Sequence, residues 1–111
     1  MYWQEARSYC QGINSDLASI PNSETHEFLN SLLDTTYTWF GGYKVDQTWK
    51  WYINNKPFNF SKWKPGQGNG GDGVKLIVDR DSWFHDVLPT SQKLPFVCQY
   101  QFCKYYTILM E

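Results

Sequence analysis

An α+β architecture follows from three features of the sequence. Helical apolar spacing fills the first third of the chain, the spacing changes to period two from Thr35 onward, and five of the nine residues at 65–73 are glycine, which breaks regular structure. Trp3, Ala6, Arg7 and Cys10 recur at i, i+3, i+4 and i+7, a helical stripe ended by Gln11-Gly12 with glycine at a C′-like position. Leu17-Ala18-Ser19-Ile20 is a short extended piece stopped by Pro21. In the second helix Asn22 or Ser23 is the cap, Glu24 and Glu27 favour the N-terminal half, and Phe28, Leu29, Leu32 and Leu33 form the apolar face.

Thr38-Trp39-Phe40 leads into Gly41-Gly42-Tyr43, a strand with a close backbone approach at the glycines. Trp49 and Trp51 share one face of an extended segment, and Pro57-Phe58-Asn59-Phe60 repeats that alternation. Residues 65–73 form a loop, and strands are predicted over 74–78, 82–87 and 94–100. The tail at 101–111 carries strand propensity at Tyr105-Tyr106-Thr107-Ile108-Leu109, with nothing to fix a partner. Trp39, Phe40, Trp51, Trp83, Phe96 and Val97 are the predicted core, with Phe28, Leu29 and Leu32 packed onto it from the helix.

At 111 residues the chain is one small domain, able to bury roughly two thirds of its unfolded surface. A net charge of −1 gives no electrostatic case for nucleic acid or an anionic membrane surface. No apolar run approaches the ~20 residues of a membrane span. Six Trp, eight Tyr and seven Phe are incompatible with a disordered chain. Met1-Tyr2-Trp3-Gln4-Glu5-Ala6 has neither the basic start nor the apolar core of a secretory signal. That fits either a cytosolic protein or a mature or truncated form.

Several constellations invite a chemical reading. Gly66-Gln67-Gly68-Asn69-Gly70-Gly71 satisfies G-x-G-x-x-G, but a strand follows it where a dinucleotide site needs a helix. His26 and His85 lack the nucleophile context of a hydrolytic triad; His26 is expected exposed on its helix and His85 facing a loop. Gln67, Asn69, Asp72 and Asp86 are amide and carboxylate side chains in or beside one long loop, the oxygen donors that calcium prefers, although such residues also fill loops for backbone reasons. Asn59-Phe60-Ser61 is an N-glycosylation sequon, relevant if the chain is secreted. Cys10, Cys98 and Cys103 allow one bridge with a thiol left over, or three reduced thiols.

Taken in order from Trp3 to Tyr100, these landmarks resemble the C-type lectin-like domain. Trp3-Gln4-Glu5-Ala6 with Cys10 is similar to that family's first helix. Leu17-Ala18-Ser19-Ile20 with Glu24, Phe28 and Leu29 is similar to the stretch through its second. Trp39-Phe40-Gly41-Gly42 resembles its hallmark core strand. Trp49-Lys50-Trp51, Pro57-Phe58, Phe60, Trp63 and Pro65-Gly66 resemble the approach to its long loop. Trp83 to Asp86 resembles its Trp-Asn-Asp strand, and Pro95-Phe96-Val97-Cys98 its closing strand. The resemblance implies a fold of two helices, small antiparallel sheets and a long loop region, with the domain at 1–100 and an extension at 101–111. It implies a Cys10–Cys98 disulfide and hence an oxidising, extracellular or secreted setting.

The resemblance also implies a non-enzymatic module that binds a glycan or glycoprotein, with Ca²⁺ held in the long loop and completed by sugar hydroxyls. The implied metal ligands are Gln67, Asn69, Asp72 and Asp86, and Gln67, Asn69 and Asp86 would also contact the sugar. Gln67 matches galactose-type members and Asn69 mannose-type members, so sugar preference is not assigned. The chain departs from the pattern at Gly68, where the family has a cis-proline, and by a one-residue insertion at Phe84-His85-Asp86. The second family disulfide is gone, with Gly73 at the place of one cysteine and Pro89 or Thr90 near the other. These departures point to a degenerate calcium site. The alternative reading is a calcium-independent protein- or ice-binding surface on the same fold. The family's first strand, which would precede Trp3, is absent from the sequence. The last strand is then an open edge that residues 104–109 fold back to cover, or through which, or through Cys103, two chains pair as a homodimer.

Overall fold

Side chains alternate across the central strand of the sheet, and both faces are buried. A computed structural model describes residues 1–33, 36–100 and 106–109. In chain order the elements are α1 (Trp3–Gly12), β1 (Asp16–Leu17), α2 (Ser23–Leu32), β2 (Tyr37–Val45), β3 (Thr48–Trp51), β4 (Lys75–Asp79), β5 (Phe84–Val87), β6 (Phe96–Gln99) and β7 (Tyr106–Leu109). They form two helices and one mixed sheet in the order β1-β6-β2-β4-β5, with β3 on β2 and β7 on β6. All pairings are antiparallel except β2 with β6, which meet in parallel at Trp39 and Phe96.

Period two sorts the apolar residues onto the two faces. Trp39, Ile77, Phe96 and Cys98 join Trp3, Ala6 and Cys10 of α1 in one core cluster. Phe40, Leu76, Val78 and Val97 join Leu29 of α2 with Trp51 and Phe84 in the other. The glycines of β2 permit close approach, as the sequence suggested. A Cβ on Gly41 would run into the Leu17 carbonyl, and one on Gly42 would meet Phe58 at 2.7 Å and Leu76 at 2.9 Å.

A disulfide joins Cys10 of α1 to Cys98 of β6, with Cα atoms 5.4 Å apart at a sequence separation of 88. Closing a loop that long contributes roughly 4–5 kcal/mol on the chain-entropy model. The helix starts are set locally. Asn22 is the cap of α2, its side chain accepting the Thr25 N–H at 2.8 Å. At α1, Glu5 reaches back to accept the Tyr2 N–H at 3.0 Å. The first helix runs through Gly12 and closes at Ile13.

Three expectations are corrected. Phe28 and Leu32 are 55% and 52% exposed, because α2 turns Leu29 and His26 inward. His26 is therefore buried at 5% exposure, with its Nε2 2.8 Å from the Ser82 carbonyl and its ring against Phe60 and Phe84. Trp83 is only partly buried; the inserted residue gives the core position to Phe84, fully buried opposite Val78. The alternation at 57–60 holds, with Phe58 and Phe60 partly buried and Pro57 and Asn59 exposed, and the segment joins the sheet only through an isolated bridge from Pro57 to Lys50.

The outer edge of β6 is covered within the chain. β7 pairs along its whole length, from Phe96 opposite Leu109 to Gln99 opposite Tyr106. A homodimer through that edge of the last strand therefore has no open edge to use. Cys103 lies outside the described residues.

Two predictions follow from this packing. Burial, reinforced by the nearby Lys62 charge, holds the His26 imidazole below its ordinary 6.5, against the opposing pull of the Ser82 carbonyl and Glu27. Below about pH 6.5 the unfolded chain takes up a proton that native His26 refuses. That part of the stability is complete above this pH and declines as pH falls through the window beneath it. The urea midpoint should drop between about pH 7.5 and about pH 5.5, and His26→Gln should flatten the drop. Ending the chain after Tyr100 bares the β6 backbone, so light scattering should detect concentration-dependent association and the melting temperature should fall. An unchanged melting temperature would mean that β7 adds nothing to the fold.

Candidate functional site

A tight hairpin forms one wall of the site. β2 and β3 are joined by Asp46-Gln47, both in the left-handed region at φ 49° and 66°, as a type I′ turn requires. The register places Lys44 directly opposite Trp49. Both reach the glycine-rich loop. The Trp49 indole N–H donates to the Gly68 carbonyl at 3.1 Å, and Lys44 Nζ donates to the Gly70 carbonyl at 2.6 Å and the Gly68 carbonyl at 3.4 Å.

The other side of the loop is held from β5. Asp86, opposite Leu76 of β4, accepts the Gly68 N–H on Oδ1 at 3.0 Å and the Gly70 N–H on Oδ2 at 2.6 Å. Its own N–H donates to Gln67 Oε1 at 3.3 Å. Gly68 stands at φ 92° with its α-carbon pressed on the Trp63 indole, where a Cβ would come within 2.9 Å of the ring. That indole packs on Trp49 at 4.8 Å and edge-on to Phe84 at 5.6 Å, and Phe58 stacks on Trp51 at 3.9 Å. The loop thus rests on aromatic rings, with its amides turned to a carboxylate and its carbonyls to an ammonium and an indole.

Hairpin and loop enclose an open cleft of about 500 Å³ lined by Lys44, Gln47, Trp49, Asn69 and Asp72 together with backbone at Gly68, Gly70 and Gly71. The structure therefore separates the candidate residues into two sets. Gln67 Oε1 accepts the Asp86 N–H, the Asp86 carboxylate accepts two loop amides, and Asn69 and Asp72 line the cleft. Sequence reading missed Lys44, Gln47 and Trp49 as cleft residues; alternation marked Trp49 only as a strand residue, and nothing local distinguishes Lys44 from a solvated strand lysine.

This donor set does not fit calcium. The ion takes 6–8 oxygens. Here both Asp86 oxygens and the Gln67 carbonyl oxygen are occupied by backbone N–H groups, and two loop carbonyls are taken by Lys44 and Trp49. Among the described residues no group of three or more His, Cys, Asp or Glu side chains is placed to hold a metal.

The second histidine lies near the site without entering it. His85 sits on β5, partly buried, with Nε2 2.7 Å from Asp79 Oδ2, so it is not loop-facing as expected. Burial alone would raise the Asp79 carboxyl, but His85 and the N–H groups of Trp83 and Asp81 hold it below its ordinary value.

The family model described as Lectin C-type domain matches residues 1–100. Bovine E-selectin is 35% identical over 106 residues, covering 85% of this chain and 22% of that protein. Human C-type lectin domain family 10 member A is 36% identical over 102 residues, covering 89% and 31%. The chain thus spans under a third of either relative. Among solved structures, the cow CD23 carbohydrate-recognition domain superposes with a TM-score of 0.69 at 24% identity, covering 78% of this chain and 70% of that one. Human lithostathine gives 0.71 at 23% identity, covering 87% and 82%. These structural likenesses support the fold.

The site geometry yields one stability prediction. Asp86→Ala leaves the Gly68 and Gly70 amides without their acceptor and should cost about 2–3 kcal/mol in urea denaturation. Trp49 fluorescence should change with it. Asp86→Asn keeps one acceptor oxygen and should cost less; equal stability of all three chains would show that the loop is held elsewhere.

Proposed function

The chain belongs to the C-type lectin domain family, whose members are non-enzymatic carbohydrate-binding proteins, and on that premise we propose that it recognises glycans in the hairpin–loop cleft without calcium. The observation that carries this reading is the pairing of the cleft with a loop that is already closed. Gln47 and Asn69 offer amide donors and acceptors, Asp72 offers a carboxylate, and Trp49 offers an aromatic edge, a mixture that complements sugar hydroxyls and ring C–H groups. The Asp86 carboxylate and the Gln67 amide oxygen, two of the donors that the family resemblance implies for the ion, already accept backbone N–H groups.

On this reading Asn69 and Asp72 contact the sugar, and Gln67 and Asp86 support the loop from behind. Residues 1–100 form the recognition domain, and the extension at 101–111 supplies β7. The partner is a glycan or glycoprotein met in an oxidising, extracellular setting, which the Cys10–Cys98 bridge supports. No helix among the described residues is long and apolar enough to cross a membrane.

The test is a glycan array probed with the full chain in calcium buffer and again in excess chelator. Binding should appear in both and fall at least about tenfold in Asn69→Ala and Gln47→Ala, roughly the loss of one or two well-placed hydrogen bonds. Loss of binding in chelator would return the calcium-dependent reading. A blank array with folded protein would remove glycan recognition and favour a protein ligand.

A further inference from the structure

We infer that Asn59 is a site of N-linked glycosylation whose first sugar lies in a groove separate from the hairpin–loop cleft. The sequon Asn59-Phe60-Ser61 is followed by Lys62, so proline blocks neither its middle nor its exit. A sequon is common by chance, so the structural setting decides. Asn59 and Ser61 are exposed, and Phe60 between them is partly buried. The Phe60 ring is the anchor, 5.5 Å from His26 and 6.0 Å from Phe84. The alternation therefore turns both reactive positions of the sequon to solvent and fixes the residue between them.

The backbone here is irregular, lying between the Lys50–Pro57 and Trp63–Phe84 bridges. No strand pairing would be broken by a bulky substituent. The Asn59 side-chain amide takes part in no hydrogen bond among the described residues, so modification removes nothing from the fold. Beside it lies an open groove of about 220 Å³ lined by Pro21, Trp51, Asn54, Lys56 and Pro57, a surface on which the first sugar ring can lie. This groove shares no lining residue with the hairpin–loop cleft.

The chemistry needs a co-reactant of one class, a polyprenyl-diphosphate-linked oligosaccharide. The Asn59 side-chain nitrogen attacks the anomeric carbon of the reducing-end sugar, a C–N bond forms, the C–O bond to the diphosphate breaks, and the amide loses one proton as the polyprenyl diphosphate leaves. Such donors are used in the secretory compartment, where the Cys10–Cys98 bridge also forms. The inference stands on the disulfide and the sequon's setting, independently of what the cleft binds.

The experiment expresses the full chain in mammalian cells behind a cleavable secretion leader, with intact mass measured on cell-retained and secreted material before and after peptide N-glycosidase treatment. Wild type should carry heterogeneous added mass that the glycosidase removes, leaving aspartate at position 59. Asn59→Gln and Ser61→Ala should lack it, and Ser61→Thr should keep it, which separates loss of the acceptor from loss of folding. Wild type at bare polypeptide mass in both fractions, or added mass that persists in Asn59→Gln, would overturn the inference.

Discussion

Two buried faces on one sheet are a demanding arrangement for a chain of 111 residues with two helices among those described. Each face needs a cover, and α1 supplies most of one through Trp3, Ala6 and Cys10. The second helix contributes only Leu29 and His26 as buried residues. The rest of that face is closed by the aromatic residues of the irregular segment between β3 and β4, where Phe58, Phe60 and Trp63 pack against the core. The long loop is therefore structural on its inner side, and its outer side lines the cleft. Aromatic rings suit this role because each buries a large area while fixing few torsions.

That dual role explains how the glycine-rich segment keeps a defined shape. Its glycines allow the backbone to lie on the Trp63 ring, but they also leave the unfolded loop with high entropy. The opposing term is polar. Asp86 gathers two amides, Lys44 two carbonyls and Trp49 one of the same carbonyls. Hydrogen bonds with a charged partner are stronger than neutral ones, and here they are made from regular strands to an irregular loop. Position is imposed on the loop by the sheet.

Much of this was legible in the sequence, and the failures have physical causes. The helix stripes, the glycine approach in β2, the loop at 65–73 and the element order follow from periodicity and turn chemistry. The Cys10–Cys98 pair came with the family resemblance, since three cysteines alone left the pairing open. The inner face of α2 was misassigned because a histidine reads as polar, and its burial depends on the distant Ser82 carbonyl. The inserted residue in β5 was visible, but an insertion reverses which ring points inward, and nothing local says that Phe84 replaces Trp83. The Asp46-Gln47 turn lacks the glycine that normally announces a type I′ hairpin. Lys44 was invisible because its partners lie 24 and 26 residues away.

A loop fastened by its own side chains obeys a different equilibrium from one fastened by a dissolved ion. When a metal closes a loop, the closed fraction follows the metal concentration by mass action. Lys44 and Asp86 are tethered to the strands they grow from, so their effective concentration is fixed wherever the chain travels. On the proposed calcium-independent reading, the cleft keeps one shape in calcium-rich and calcium-poor fluids, and falling calcium gives no release signal. On that reading a bound glycan leaves only by its own dissociation rate or by competition.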